Sequence, residues 1–101
     1  MSEQTHPPVE EKLNFETGRI GWDELARHFA RGVVIRVGDG LDLVKVASAV
    51  AEDDKAAVGE WLASGAIANA DLDDARRWEQ SGELLWAVVV APWVLVQEPV
   101  H

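Results

Sequence analysis

The chain has 101 residues, of which 48% are hydrophobic, enough to form one core without cross-links. Because it contains no cysteine, disulfide scaffolds, thiolate metal sites and cysteine nucleophiles are excluded. Its 18 acidic and 9 basic side chains give a net charge of −9, which repels phosphate backbones and anionic lipid. The composition therefore argues against nucleic acid and membranes as partners.

The N-terminal residues are predicted to lie outside the folded part of the chain. Residues 1–9 contain Pro7 and Pro8 among polar side chains that have nothing to bury. We expect a disordered tail there, followed by a single domain over residues 10–98 that begins with a short helix from Glu10 to Thr17. The start lacks the basic and apolar regions of a signal peptide, so we expect a cytoplasmic protein.

The next two segments have clear periodic patterns. Gly21 to Arg31 places apolar residues on one face at helical spacing and charged residues on the other, which predicts a helix ending at Gly32. Val33 to Val37 is a β-branched run between that glycine and the Gly-Asp-Gly turn at residues 38–40. This run predicts a strand.

Two helices joined by an acidic turn are predicted in the middle of the chain. The first runs from Leu41 to Ala51, and Asp39 or Asp42 can cap its start. The second follows the turn at residues 53–54 and ends before Gly65, which suits the left-handed position after a helix.

A short strand and one more helix complete the pattern before the last segment. Ala66 to Asn69 predicts the strand, and Leu72 to Gln80 predicts the helix, with Asp71 as its N-cap. The helix ends at the Ser81–Gly82 turn.

The most apolar stretch runs from Leu84 to Val96 without a polar residue. Both of its faces must be covered by protein, and its β-branched and aromatic residues predict a central strand. Pro92 has no backbone donor and predicts a bend after which Trp93 to Gln97 changes direction. The interrupted run is too short for a membrane-spanning helix. The pattern as a whole predicts a small α+β fold with a two- or three-stranded sheet around this run.

The middle of the chain resembles a winged helix-turn-helix. LVKVASAVAEDDKAAVGEWLASGAI at residues 43–67 has a helix, a short polar turn, a second helix and a strand in that order. The resemblance implies DNA binding through the helix Lys55–Ala63. Its turn departs from the motif by carrying three acidic residues, a helix replaces the first wing, and the outward side chains of the second helix include no Arg, Asn or Gln to read base edges. A DNA-binding regulator is therefore the alternative rather than the preferred function.

Four segments resemble a bacterial family, the domain of unknown function 2288. They are ETGRIGWDELARHFARGVVIRV at 16–37, LDLVKVASAVAEDD at 41–54, the segment from Trp61 to Gly65, and WAVVVAPWVLVQ at 86–97. The resemblance covers about Leu13 to Glu98. It implies no activity and no catalytic residue, because the family has no established function.

The sequence contains no constellation typical of a catalytic or metal site. Asp39, Asp42, Asp53 and Asp54 are better explained by turns and helix caps than by a calcium loop, whose closing glutamate is missing. His28 has no Cys or Tyr, and no second nearby His, to form a zinc site or a triad. We expect no metal, no cofactor and no catalytic residue. A small-ligand binder or enzyme with a pocket around His28 and Asp53 is a further alternative.

The five tryptophans are the main indication of protein interaction. A core this small has difficulty burying all of them, and Trp is enriched at the centres of protein interfaces. Trp93, beside Pro92, and Trp78 are the candidate interaction surface for a protein partner or a homodimer. The tryptophans assigned to the core are Trp22, Trp61 and Trp86. The sequence thus predicts a non-catalytic acidic domain that acts through protein–protein contact.

Overall fold

The computed structural model describes residues 17–99. The strands are Gly18–Ile20 (β1), Val34–Val37 (β2), Ile67–Asn69 (β3), Leu85–Val90 (β4) and Trp93–Gln97 (β5). The helices are Trp22–Ala30 (α1), Leu43–Ala51 (α2), Lys55–Ser64 (α3) and Leu72–Ser81 (α4). The predicted tail at residues 1–9 and the predicted helix up to residue 16 lie outside the described residues. The other predicted helices and strands are confirmed, with boundaries that move by one or two residues.

The strands form one five-stranded mixed sheet in the order β1-β4-β5-β2-β3. β5 pairs in parallel with β2, and every other neighbouring pair is antiparallel. The prediction of two or three strands was wrong, because β1 is only three residues long and carries little periodic signal, and because the apolar run forms two strands rather than one. The apolar run divides at Ala91–Pro92 into β4 and the central strand β5, which pair antiparallel, and this reversal confirms the predicted bend. The Ala91–Pro92 peptide bond is cis.

Helices cover both faces of this α+β sheet. On one face, α2 packs on β4 and β5, and α3 packs beside it against β3. On the other face, α1 and α4 pack against each other. Successive side chains of β5 pack on opposite faces of the sheet. Leu95 lies in the core under α2, and Val94 and Val96 lie in the core under α1 and α4. Both faces of the apolar run are therefore covered in β5. The expectation was wrong for β4, where Trp86 is 38% exposed and Val89 is 64% exposed.

The helix ends follow from local sequence. The Asp42 side chain accepts hydrogen bonds from the first backbone N–H groups of α2, and Asp54 does the same for α3. Asp71 forms a reciprocal capping box with Asp74 at the start of α4. Gly65 ends α3 with a φ of 81°, in the left-handed region that glycine adopts without strain. These caps agree with the sequence-based predictions.

α2 and α3 keep the order of a helix-turn-helix, with the acidic turn from Glu52 to Asp54 between them. The winged-helix resemblance of this segment stays a prediction.

Candidate functional site

Among the four helices within residues 17–99, α3 is the least buried. It contains no buried residue, and its contact with the core is made by the partly buried Val58 and Trp61. Leu62, which follows Trp61 in the chain, is 51% exposed. A helix seated in this way leaves space between itself and the sheet.

That space is an open groove of about 430 Å³, called here the α3 groove. Its floor is formed by side chains of the sheet, and its wall by one face of α3. The residues that line it are Ile35, Val50, Asp53, Asp54, Lys55, Val58, Gly59, Leu62, Ile67, Asn69 and Trp93. Most of these side chains are apolar, and the charged ones come from a single segment at one end.

The wall of the α3 groove follows the helical repeat. Lys55, Val58, Gly59 and Leu62 stand at positions i, i+3, i+4 and i+7, which share one face of a helix. A Cβ atom placed on Gly59 would meet no atom within 4 Å. The absence of a side chain at this position therefore leaves the middle of the groove open.

The charged end of the α3 groove is the turn before α3. Asp53 adopts a φ of 57°, a left-handed conformation that is uncommon outside glycine, asparagine and aspartate. Its side chain is 79% exposed and lies 3.8 Å from the ammonium of Lys55, which is 85% exposed. The Asp54 carboxylate accepts a hydrogen bond from the backbone N–H of Ala57 at 3.1 Å. This end can attract a cation but contains no pair of groups arranged for proton transfer.

A different cluster of charges lies on the opposite face of the sheet, around Asp74. This carboxylate is 1% exposed and accepts hydrogen bonds from Arg36 on β2, from Arg77 and from the backbone N–H of Asp71. Burial acts to raise the pKa of Asp74, but these hydrogen bonds outweigh it and hold the pKa below its ordinary value. The cluster binds α4 to the middle of the sheet.

The same cluster reaches the end of β5 through Glu98. Arg77 donates to this carboxylate through Nε at 2.8 Å, and the indole N–H of Trp78 donates to it at 2.7 Å. The hydrogen bonds that Arg77 donates to Asp74 and to Glu98 raise the pKa of Arg77. A second cleft of about 350 Å³ lies here, and its Arg77 and Glu98 are bound to each other. We interpret the cluster as structural, because its charges satisfy one another.

Comparison with known proteins identifies the family. A family model described as "Protein of unknown function (DUF2288)" matches residues 8–98. The chain belongs to the DUF2288 family. The NMR solution structure of PA1075 from Pseudomonas aeruginosa is similar to this DUF2288 chain, with 44% identity and a TM-score of 0.81. That match covers 100% of this chain and 93% of PA1075. No curated protein matches this DUF2288 chain.

The structure separates the predicted interaction residues of this DUF2288 domain. Trp93 lines the α3 groove, and Pro92 is exposed in the turn beside it. Trp78 needs a correction, because it is 1% exposed and packs under α4 on the opposite face. Trp86 also needs one, since it is 38% exposed and stacks against the Arg19 guanidinium at 4.0 Å rather than lying in the core.

The predicted pocket around His28 and Asp53 is not formed in this DUF2288 domain. His28 lies on α1, whose Leu25 packs on one face of the sheet, whereas Asp53 borders the α3 groove on the other. Within residues 17–99, no group of three or more His, Cys, Asp or Glu residues could hold a metal ion. None of the helices in this part of the chain is long and apolar enough to cross a membrane.

Sequence reasoning missed most of the α3 groove. Val58, Trp61 and Leu62 form an apolar pattern at helical spacing, which by itself does not reveal a groove. Gly59 by itself indicates only a lower helix propensity. The available signal was the glycine itself, which shares a helical face with two apolar residues.

Proposed function

We propose that this DUF2288 chain is a non-catalytic cytoplasmic binding domain whose α3 groove receives apolar side chains of a protein partner. The observation that carries this proposal is the open apolar groove, with Trp93 on its floor and no side chain at Gly59 to fill it. Tryptophan beside apolar residues in a concavity is the typical composition of the centre of a protein interface.

The polar residues of the α3 groove favour binding over catalysis. Those that line it are Asp53, Asp54, Lys55 and Asn69. The Asp54 carboxylate caps a helix, and the nearest charged pair, Asp53 and Lys55, is exposed to solvent. Catalytic acids and bases generally require burial or close partners to adjust their pKa values. This end of the groove offers neither arrangement.

A small apolar ligand is the second candidate occupant of the α3 groove. The volume of about 430 Å³ lies within the range of about 300–1,000 Å³ of small-molecule sites. DNA binding receives less support, because the exposed residues of α3 include no Arg, Asn or Gln. The acidic turn would also face phosphates at the N-terminus of the helix.

Two variants of α3 test the proposal directly. Gly59→Leu should place an apolar side chain in the α3 groove, because the space around the added Cβ is open: apart from the helix's own neighbouring atoms, nothing lies within 4 Å of it. Ala63→Leu is the matched control, since Ala63 is exposed on the same helix and does not line the groove. Both replace a small residue by the same apolar side chain.

The experiment is affinity capture from a lysate of the source cells, run with and without nuclease, using the wild-type chain and both variants as bait. We expect a stoichiometric protein that is recovered by the wild-type chain and by Ala63→Leu and is lost with Gly59→Leu. Equal recovery by all three baits would contradict the proposal. Loss of all recovery on nuclease treatment would support the DNA-binding alternative.

A further inference from the structure

The charged end of the α3 groove indicates the chemistry of its occupant. We infer that the groove receives a basic segment of a partner protein, in which an apolar anchor is flanked by Lys or Arg. This inference rests on the proposed function and specifies the partner of the same site.

Within residues 17–99, the acidic side chains at this end have only weakly held cationic partners. Asp53 is 79% exposed, and its ion pair with Lys55 at 3.8 Å joins two exposed side chains. Pairs of this kind hold each other weakly in water. Asp54 uses one carboxylate oxygen to cap α3, which leaves the second oxygen directed at no other described residue. Both carboxylates can therefore interact with an incoming cation.

The backbone does not require two carboxylates here. Position 53 has a φ of 57°, which glycine or asparagine adopts as readily as aspartate does. Asparagine is also as good an N-cap as aspartate at position 54. The fold thus accounts for the turn and for the cap, but not for the charge that both residues place at the mouth of the groove.

The negative charge of this chain favours a partner of positive charge. The chain carries a net charge of −9, and the exposed Glu52 and Glu60 add negative charge close to the groove. An acidic partner or a second copy of this chain would approach against that field, whereas a basic segment would be attracted by it. Apolar side chains in the groove and cations at its acidic end would then bind together.

The test is to select peptides that bind the wild-type chain from a displayed library of random sequences. The selection is made at physiological ionic strength, where the Debye length is about 8 Å. The charge variant is Asp53→Asn with Asp54→Asn, which keeps the turn and the cap. The matched control is Glu24→Gln with Glu79→Gln, which changes the net charge equally at exposed positions of α1 and α4. Gly59→Leu reports whether a selected peptide occupies the groove.

We expect the selected peptides to combine an apolar residue with neighbouring Lys or Arg and to lose binding to Gly59→Leu. Their affinity should fall about three- to tenfold with the double Asp→Asn variant and stay within about twofold with the control. Peptides that require the open groove but carry no cationic excess, or bind the double Asp→Asn variant equally well, would overturn the inference and leave the proposed function standing.

Two further results are informative. If no selected peptide is sensitive to Gly59→Leu, the proposed function itself fails. Self-association in sedimentation experiments that Gly59→Leu abolishes would assign the groove to a second copy of the chain and would overturn the basic-partner inference.

Discussion

Replacing Asp74 by asparagine should destabilise the protein more than any other single change of a carboxylate to its amide among the described residues. The carboxylate is 1% exposed, and Arg36 donates to both of its oxygens at 2.8 Å. Arg77 adds a hydrogen bond at 2.8 Å, and the backbone N–H of Asp71 adds one at 3.1 Å. Asparagine removes the negative charge and replaces one accepting oxygen by an N–H₂ group, which faces the N–H donors of the two arginines or of Asp71.

The expected loss follows from these contacts. Removing one member of a buried ion pair costs about 3–5 kcal/mol, because the remaining charge is left without a partner. Arg36 and Arg77 are 34% and 48% exposed and can regain water, which reduces the penalty. We therefore expect the free energy of unfolding to fall by about 2–4 kcal/mol.

Urea denaturation followed by tryptophan fluorescence measures this difference. The matched control is Asp73→Asn, which alters a neighbouring carboxylate that is 87% exposed and lies 3.8 Å from Arg76. The control should be indistinguishable from wild type. Equal stability of Asp74→Asn and Asp73→Asn would refute the interpretation that the buried cluster holds α4 to the sheet.

Three further predictions concern pH, α3 and the core. The pKa of Asp74 is held below its ordinary value, so its contribution to the unfolding free energy is complete above about pH 4 and is lost as the pH falls further. In an acid titration, the unfolding free energy should therefore fall more steeply for wild type than for Asp74→Asn. Gly59→Leu should raise the unfolding free energy by about 0.5–1 kcal/mol in urea, since leucine favours helix and its Cβ enters open space. A large loss of stability would contradict the open groove. Leu95→Ala should cost about 2–5 kcal/mol and Val89→Ala much less, because these side chains are 0% and 64% exposed.

Much of the local structure could be predicted from the sequence because its causes are local. Asp42, Asp54 and Asp71 cap their helices, and Gly65 ends α3, as side-chain chemistry and backbone freedom require. Pro92 marks the bend between β4 and β5.

The sheet was harder to predict because its pairings are not local. β2 lies parallel to β5, although nearly sixty residues separate Val34 from its partner Val94. β1 becomes recognisable as a strand only through its pairing with β4, and β4 and β5 are distinguished only by the hairpin between them. The size of the sheet was therefore underestimated.

The candidate site depended on how closely one helix packs. The run Val58 to Leu62 has three apolar residues at helical spacing, and this pattern alone does not show which of them reach the core. In the fold only Val58 and Trp61 reach the core, and Leu62 stays at the edge of the α3 groove. Trp78 shows the opposite case. Its residue type suggested an exposed interaction site, but it lies on the apolar face of α4 and is buried.

The most direct test of the α3 groove is the proton–nitrogen NMR spectrum of the indole groups during titration with a selected peptide or captured partner. The five tryptophans give separate probes within one sample. Trp93 lines the groove, whereas Trp78 lies under α4 and Trp86 stacks on Arg19. We predict that the Trp93 signal shifts most and that those of Trp78 and Trp86 stay in place. A shift confined to Trp78 or Trp86 would place binding elsewhere and contradict the proposed function.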